Sequence, residues 1–391
     1  MTRLVLKPGH IRRVQGGHPW IFSNEIQEIV GDVEPGCTLE VCSPSGNRFG
    51  VAYYNPHSLI AARILAPPGE SIDHVDFFHS RLETALEYRS QLYPGCRALR
   101  LVFGESDGLP GLVVDLFEDV LVVQLLTLGM DLRRDLIVQA LVELLKPKAI
   151  LARNDVAVRG LEGLPQAVEL LYGTLPETLA ITEHGLRFKI DVVGGQKTGH
   201  FLDQKENHLA LKGRVEGRKV LDLFCYSGSW SVHAGRFGAT EVTGIDISPD
   251  AIELAQENAS ANYLDHLCQF EQADVFDLLR NLQKRKQRFG TVVLDPPAFV
   301  KSKKKLVEAM RGYLTINRRA MELIEPGGYI FSCSCSHHMQ RDAFLELLRK
   351  AARQAGRRAT LLEVRGQSFD HPVLLSCPET DYLKCAVLKL D

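Results

Sequence analysis

The chain has no apolar run approaching the ~20 residues that a bilayer-crossing helix needs, so its 45% hydrophobic content reads as packed core and the expectation is no membrane partner. The opening residues, Met1 to His10, lack the apolar stretch of a secretory signal. The nine cysteines are scattered without the spacing of a disulfide framework. These absences lead to the expectation of a reducing, cytoplasmic setting. An internal repeat is also missing, and so is a charge of one sign. Lys and Arg number 46 against 48 Asp and Glu, a formal net charge of -2, so bulk charge gives no argument for nucleic acid and any such contact must come from local patches. Two patches exist. Residues 1 to 24 carry Arg3, Lys7, Arg12 and Arg13 with no acid, and Lys301, Lys303, Lys304 and Lys305 form a tight run.

At 391 residues the chain exceeds the size at which single cores stop growing, and two or three domains are expected. Residues 1–70 are interrupted every few positions by Pro and Gly, with short extended pieces at 38–42 and 49–54, the pattern of a small β-barrel. Residues 71–185 begin with apolar positions at helical spacing over 72–93, read as a linker helix leading away from the barrel. Strands near 99–103, 112–116 and 120–126, a helix over 131–145 and a strand over 149–153 then describe a central α+β domain that covers its sheet with one helix. Irregular chain is expected after that. From 186 to 391 strands and helices alternate, which predicts an α/β domain with a parallel, Rossmann-like sheet. Its strands fall near 219–224, 241–246, 268–273, 291–295 and 328–335, and two last strands, 360–365 and 382–390, pair antiparallel at the edge. Ser248 and Pro249 form an N-cap and first-turn pair ahead of the helix from Ala251.

In open α/β sheets a ligand sits beyond the carboxyl ends of the strands. Four acids occupy such ends in order: Asp222, Asp246, Asp274 and Asp295. After Asp222 the chain runs Leu223, Phe224, Cys225, Tyr226, Ser227, Gly228, Ser229, a small-residue turn opening a helix. A dinucleotide fingerprint has three glycines and this turn has one, so it is poorly suited to wrap a pyrophosphate and an NAD reading is disfavoured. Asp246 lies where an acid can accept hydrogen bonds from both ribose hydroxyls; Asp274 would lie near an adenine amino group. Each has a plain alternative. Asp222 could brace the turn, Asp246 could simply end its strand, and Asp277 competes with Asp274.

This arrangement resembles the class I S-adenosylmethionine-dependent methyltransferases. The resemblance implies S-adenosylmethionine as cofactor, with Asp222, Phe224 to Ser229, Asp246, Ile247, Asp274, Val275, Phe276 and Asp295 around it.

Asp295, Pro296 and Pro297 end the fourth strand, where two prolines make a stiff turn whose carbonyls are left to accept hydrogen bonds. Such a turn suits a base edge with an amino group. On the fifth strand a period of two puts Cys333 and Cys335 on one face, with Cys335 nearer the carboxyl end. Carbon 5 of a cytosine is a poor nucleophile until a thiolate adds at carbon 6. Cys335 is the candidate for that addition, Asp295 would hold the exocyclic amine and N3, and a base must later remove the carbon 5 proton. The base is not identifiable. A strand cysteine is commonly a small buried hydrophobe, and that reading fits Cys333; Cys225, inside the cofactor turn, could also be packing. The Cys333, Cys335, His337, His338 group has no second ligand pair at zinc-like spacing, so no metal is expected.

Over its whole length the chain resembles the large-subunit ribosomal RNA cytosine-5 methyltransferases of the RlmI type. The resemblance rests on residues 17–20, 105–111, 197–207, Asp295 to Pro297, 334–336 and 370–373. It implies a PUA-like RNA-binding domain over 1–70, 5-methylcytosine formation in large-subunit (23S) rRNA, and a single nucleophile at Cys335. It also implies a cofactor lid over 197–207 in which Phe201, Asp203 and Gln204 line the cofactor, and acceptor contacts from Pro296, Pro297, Phe299, Lys301 and Lys303. Cys333 and the pair His337 and His338 depart from the family pattern, which leaves the choice of thiol open. Two rival readings share these features: methylation of a guanine or other amino group without a thiol, and a non-catalytic RNA-binding or ribosome-assembly protein. The resemblance does not decide between a monomer and a homodimer.

Overall fold

The computed structural model describes residues 2–298, 306–337 and 339–391. The chain divides into two compact units: Met1–Leu179 with Asp191–Leu202 and Phe369–Thr380, and Ala180–Ile190 with Asp203–Ser368 and Asp381–Asp391. No helix among the described residues is long and apolar enough to cross a membrane.

In the first unit, β1 (Arg3–Leu6), the short helix α1 (Ile11–Gln15), β2 (Trp20–Ile21), β3 (Ile26–Val30), β4 (Thr38–Cys42), β5 (Arg48–Tyr54) and β6 (Ala62–Ala66) open the chain. The six strands form one mixed sheet in the order β2-β6-β5-β4-β1-β3. Alternating inward residues Leu4 and Leu6, Leu39 and Val41 close over its core, as a period of two requires.

The helix α2 (Val75–Leu92) follows, its first turn capped by His74, whose Nδ1 accepts from the Phe77 N–H at 3.2 Å. It is not a linker leading away from the barrel. Phe77, Phe78, Leu82 and Ala85 are buried in the same cluster as Leu99, Val114, Leu121 and Ile137, and burying that much apolar surface fixes the helix on the neighbouring sheet. That sheet has five strands, β7 (Ala98–Phe103), β8 (Leu112–Phe117), β9 (Val120–Leu125), β10 (Ala149–Arg153) and β11 (Val168–Gly173), in the order β11-β10-β9-β8-β7. The expected helix over 131–145 is divided into α3 (Leu128–Asp131), capped by Thr127, and α4 (Arg134–Leu145). The expected irregular chain contains β11, an edge strand with Val168, Leu170 and Tyr172 exposed and Leu171 packed against the core.

The second unit opens with the hairpin β12 (Leu179–Glu183) and β13 (Leu186–Ile190), then the short helix α5 (Lys205–His208). Alternation follows: β14 (Lys219–Leu223), α6 (Ser229–Arg236), β15 (Glu241–Asp246), α7 (Pro249–Ala261), β16 (Cys268–Gln272), α8 (Val275–Lys284), β17 (Phe289–Leu294), α9 (Leu306–Glu322), β18 (Ile324–Ser334), α10 (Arg341–Gln354), β19 (Ala359–Arg365) and β20 (Lys384–Leu390). The sheet order is β16-β15-β14-β17-β18-β20-β19. β14 to β18 are parallel, and β20 runs antiparallel to both β18 and β19, as the missing crossover helix before it predicts. The order reverses between β14 and β17, so the carboxyl ends of these two strands flank the crevice in which such sheets take ligands. Ser248 caps α7 as predicted, with Pro249 in its first turn.

Candidate cofactor and acceptor site

The turn after β14 has an unusual backbone. Phe224, Tyr226 and Gly228 all have positive φ, at 66°, 46° and 78°, and left-handed conformations at two large non-glycine residues carry strain that persists only where the surroundings enforce it. Here they do. The Cys225 N–H donates to the Ile245 carbonyl at 2.9 Å and the Gly228 N–H to the Cys225 carbonyl at 2.8 Å. Asn258 of α7 donates through Nδ2 to the Ser227 carbonyl at 3.0 Å. A Cβ on Gly228 would stand 3.0 Å from the Ala255 Cβ and 3.1 Å from the Phe270 ring, so glycine is required for the close approach as well as for φ.

Asp246, at the end of β15, accepts the Tyr226 N–H on Oδ2 and the Ser248 N–H on Oδ1, both at 3.0 Å. These two bonds fix its carboxylate over the turn. The next residue, Ile247, is 67% exposed, an apolar side chain left uncovered beside that acid. A buried carboxylate over a strained turn and a bare apolar surface next to it fit a nucleoside.

Asp222 lies deeper, with 0% exposure. Its Oδ2 accepts from the Ser231 hydroxyl at 2.7 Å, tying β14 to α6, while Oδ1 is buried without a partner. Burial, and then the nearby Asp295 and Asp246 charges, pushes its carboxyl up to about 7. Its carboxyl therefore ties β14 to α6 inside the fold. Cys225 is buried and its thiol is pushed well up by burial; Val275 packs into the core under the sheet, with Phe276 partly buried against it. Ser227 and Ser229 are buried within the turn. Asp274 caps α8, accepting the Asp277 N–H at 3.1 Å, while the Asp277 carboxylate pairs with Arg280.

On the acceptor side, Asp295 is half-buried and its Oδ2 accepts from Gln204 Nε2 at 2.9 Å and from Trp230 Nε1 at 3.2 Å. Gln204 is in turn fixed by Asn207, whose Nδ2 donates to Gln204 Oε1 at 2.7 Å. Both ends of the Gln204 amide are thus engaged within the protein, and it orients Asp295. Asp203 accepts the Tyr382 hydroxyl on Oδ2 at 2.6 Å. Phe201 belongs to the first unit, with the Lys197 ammonium 4.3 Å over its ring. Pro296 is buried and Pro297 exposed. Phe299, Lys301, Lys303, Lys304, Lys305 and His338 lie outside the described residues.

The two thiols of β18 are separated by their surroundings. Cys333, at 0% exposure, faces Cys385 across the β18–β20 ladder, and burial pushes its thiol well up. Cys335 comes one residue after the strand ends and is half-buried. Its neighbours Ser334 and Ser336 are buried on the other side, where the Ser334 hydroxyl donates to Tyr313 Oη at 3.2 Å.

Trp230 and Lys384 were not singled out by the sequence. Trp230 follows the turn by one residue, and an indole N–H there is a donor that could have been flagged. Lys384 opens an otherwise apolar strand, and a lysine in such a position is itself a signal.

A family model for S-adenosylmethionine-dependent methyltransferases matches residues 108–365, and one for PUA-like domains matches residues 4–67. The chain is 40% identical over 388 residues, 98% of each chain, to a Cronobacter sakazakii protein named ribosomal RNA large subunit methyltransferase I. It is 40% identical over 391 residues, 99% of this chain and 98% of the other, to the Aeromonas hydrophila protein of the same name. Among solved structures, a candidate S-adenosylmethionine-dependent methyltransferase of Streptococcus mutans superposes with a TM-score of 0.86 at 22% identity over 100% of both chains. A candidate methyltransferase solved with SAH gives 0.87 at the same identity and coverage. These last two share the fold.

Proposed function

This chain belongs to the family of S-adenosylmethionine-dependent ribosomal RNA large subunit methyltransferases, and from that membership we propose that it methylates carbon 5 of a cytosine in large-subunit rRNA, with Cys335 as the nucleophile. The observation that carries the choice of thiol is the contrast between Cys333, wholly buried in β18, and Cys335, half-buried just past the strand end.

S-adenosylmethionine supplies an electrophilic methyl group on a sulfonium. The strained Phe224–Ser229 turn, Asp246 and Ile247 would hold it. Asp295, its Oδ2 fixed by Gln204 and Trp230, would orient the cytosine by accepting from the exocyclic amine and, when its carboxyl is protonated, donating to N3. The Cys335 thiolate forms a sulfur bond to carbon 6, and the π pair of the 5,6 double bond makes carbon 5 nucleophilic. Carbon 5 would bond the methyl carbon as that carbon's bond to the sulfonium sulfur breaks with its pair going to sulfur; the carbon 5 proton then leaves to a base, the C–H pair re-forms the double bond, and the carbon–sulfur pair returns to Cys335. The PUA-like domain and the 301–305 lysines would contact RNA, and a cytoplasmic location accords with that substrate.

Cys335→Ala is expected to abolish methyl transfer while S-adenosylmethionine binding, measured by calorimetry, persists. Nucleoside analysis of the treated rRNA should find 5-methylcytosine from the unaltered protein. Undiminished turnover by the variant would remove Cys335 from the chemistry, and a methylated amino group would favour a reaction that uses Asp295 to Pro297 without a thiol.

A further inference from the structure

Lys384 is buried, at 6% exposure, at the start of β20. In the antiparallel ladder it pairs with Ser334, the residue before Cys335. Its ammonium donates to the Ser336 carbonyl at 2.9 Å, the residue after Cys335, and to the Tyr382 carbonyl at 2.7 Å. The Lys384 backbone therefore pairs with the residue before Cys335, while its ammonium is anchored on the carbonyl of the residue after it.

Its electrostatic surroundings are unusual. Among the described residues no carboxylate forms an ion pair with Nζ. The Asp381 carboxylate favours the ammonium most, and Cys335 is the next group whose negative charge would favour it. Burial opposes the charge and holds the Lys384 ammonium below the ordinary lysine range. The remaining titratable groups nearby are the thiols of Cys333 and Cys385 across the ladder, the exposed His337, whose ring lies 5.5 Å from that of Tyr382, and Asp203, which accepts the Tyr382 hydroxyl. A buried ammonium satisfied only by neutral carbonyls is costly, and an anion beside it offsets that cost.

We propose that Lys384 is the positioning residue that holds Cys335 as a thiolate, its charge favouring loss of the thiol proton to solvent and its bond to the Ser336 carbonyl fixing the chain that carries the sulfur. The proposal rests on Cys335 being the nucleophile. A cation near a thiol is a general way of making it reactive at neutral pH; the distinct feature here is that the cation comes from the antiparallel strand and, among the described residues, forms no ion pair with a carboxylate.

Alkylation of the full-length protein by iodoacetamide across pH 5 to 10, read by mass spectrometry on the peptide carrying Cys335, tests it. The unaltered protein should show a midpoint below the ordinary thiol value of about 8.5. Lys384→Met should raise the midpoint by about one unit or more, and Lys384→Arg should keep it low. Equal midpoints in the unaltered and Met proteins overturn the proposal. So does an unaltered midpoint at or above the ordinary value, which requires no variant to fold. Cys335→Ala with full methylation would sink the nucleophile assignment and leave the midpoints unchanged, so the two failures are distinct.

Discussion

The acids of the site share a residue type and differ in what holds them. Asp246 receives two backbone N–H groups, Asp295 receives an amide and an indole, and Asp222 receives one hydroxyl in full burial. Donors stabilise a carboxylate and burial destabilises it, so Asp222 has its carboxyl raised from 3.8 to about 7. In the unfolded chain that carboxyl ionises at its ordinary value, and between the two values the native state binds more protons. The Asp222 contribution to stability is therefore present at low pH and falls as pH rises from about 4 to about 7. Urea unfolding of Asp222→Asn at pH 4, 5.5 and 7 should show a weaker decline with pH than the unaltered protein. A decline as steep as before would mean that Asp222 is ionised in the fold.

At the scale of elements, α2 stands between two sheets in sequence, where a linker is expected, and has the contacts of a core helix. Leu82 has no exposed surface and lies in a cluster with the five-stranded sheet and α4. Replacing it with alanine removes buried methylenes and leaves a cavity, which costs about 2–5 kcal/mol in well-packed cores. Leu82→Ala is expected to lower the denaturant midpoint accordingly with little change in slope; a loss under about 0.5 kcal/mol, the scale of a surface change, would return α2 to the role of a linker. The antiparallel β20 has a comparable importance in the second unit. It places Cys385 against Cys333 and Lys384 against Ser334, and so carries the only lysine bonded to the backbone beside Cys335 among the described residues.

For the whole molecule, a net charge of -2 gives little long-range attraction to a polyanion, and RNA affinity has to come from local basic patches. Each phosphate neutralised by a lysine releases counterions, with a slope of roughly 0.7 per contact on a log–log salt plot for single strands. Binding of rRNA fragments should weaken as salt rises. Replacing Lys301, Lys303, Lys304 and Lys305 with alanine should reduce the slope by up to about 3. An unchanged slope would assign these lysines to solvent.

Alternation of strands and helices after residue 186, the edge pairing of the last two strands, the Ser248 cap and the order of the strand-end acids were all legible, because each depends on local periodicity or on one residue's hydrogen-bonding habit. The edge strand β11 and the packing of α2 were not, since the pairing of the one with β10 and the burial of the other on the five-stranded sheet depend on partners distant in the chain. The sequence by itself determined which residue types stand at the strand ends, and with them the chemistry available. Only the tertiary structure decided which were buried and which paired: Cys333 in the ladder against Cys335 beyond it, Asp222 turned to α6, Gln204 and Trp230 on Asp295, Lys384 bonded beside Cys335. The reason is physical, because burial and pairing of charges arise from segments distant in the chain meeting in space.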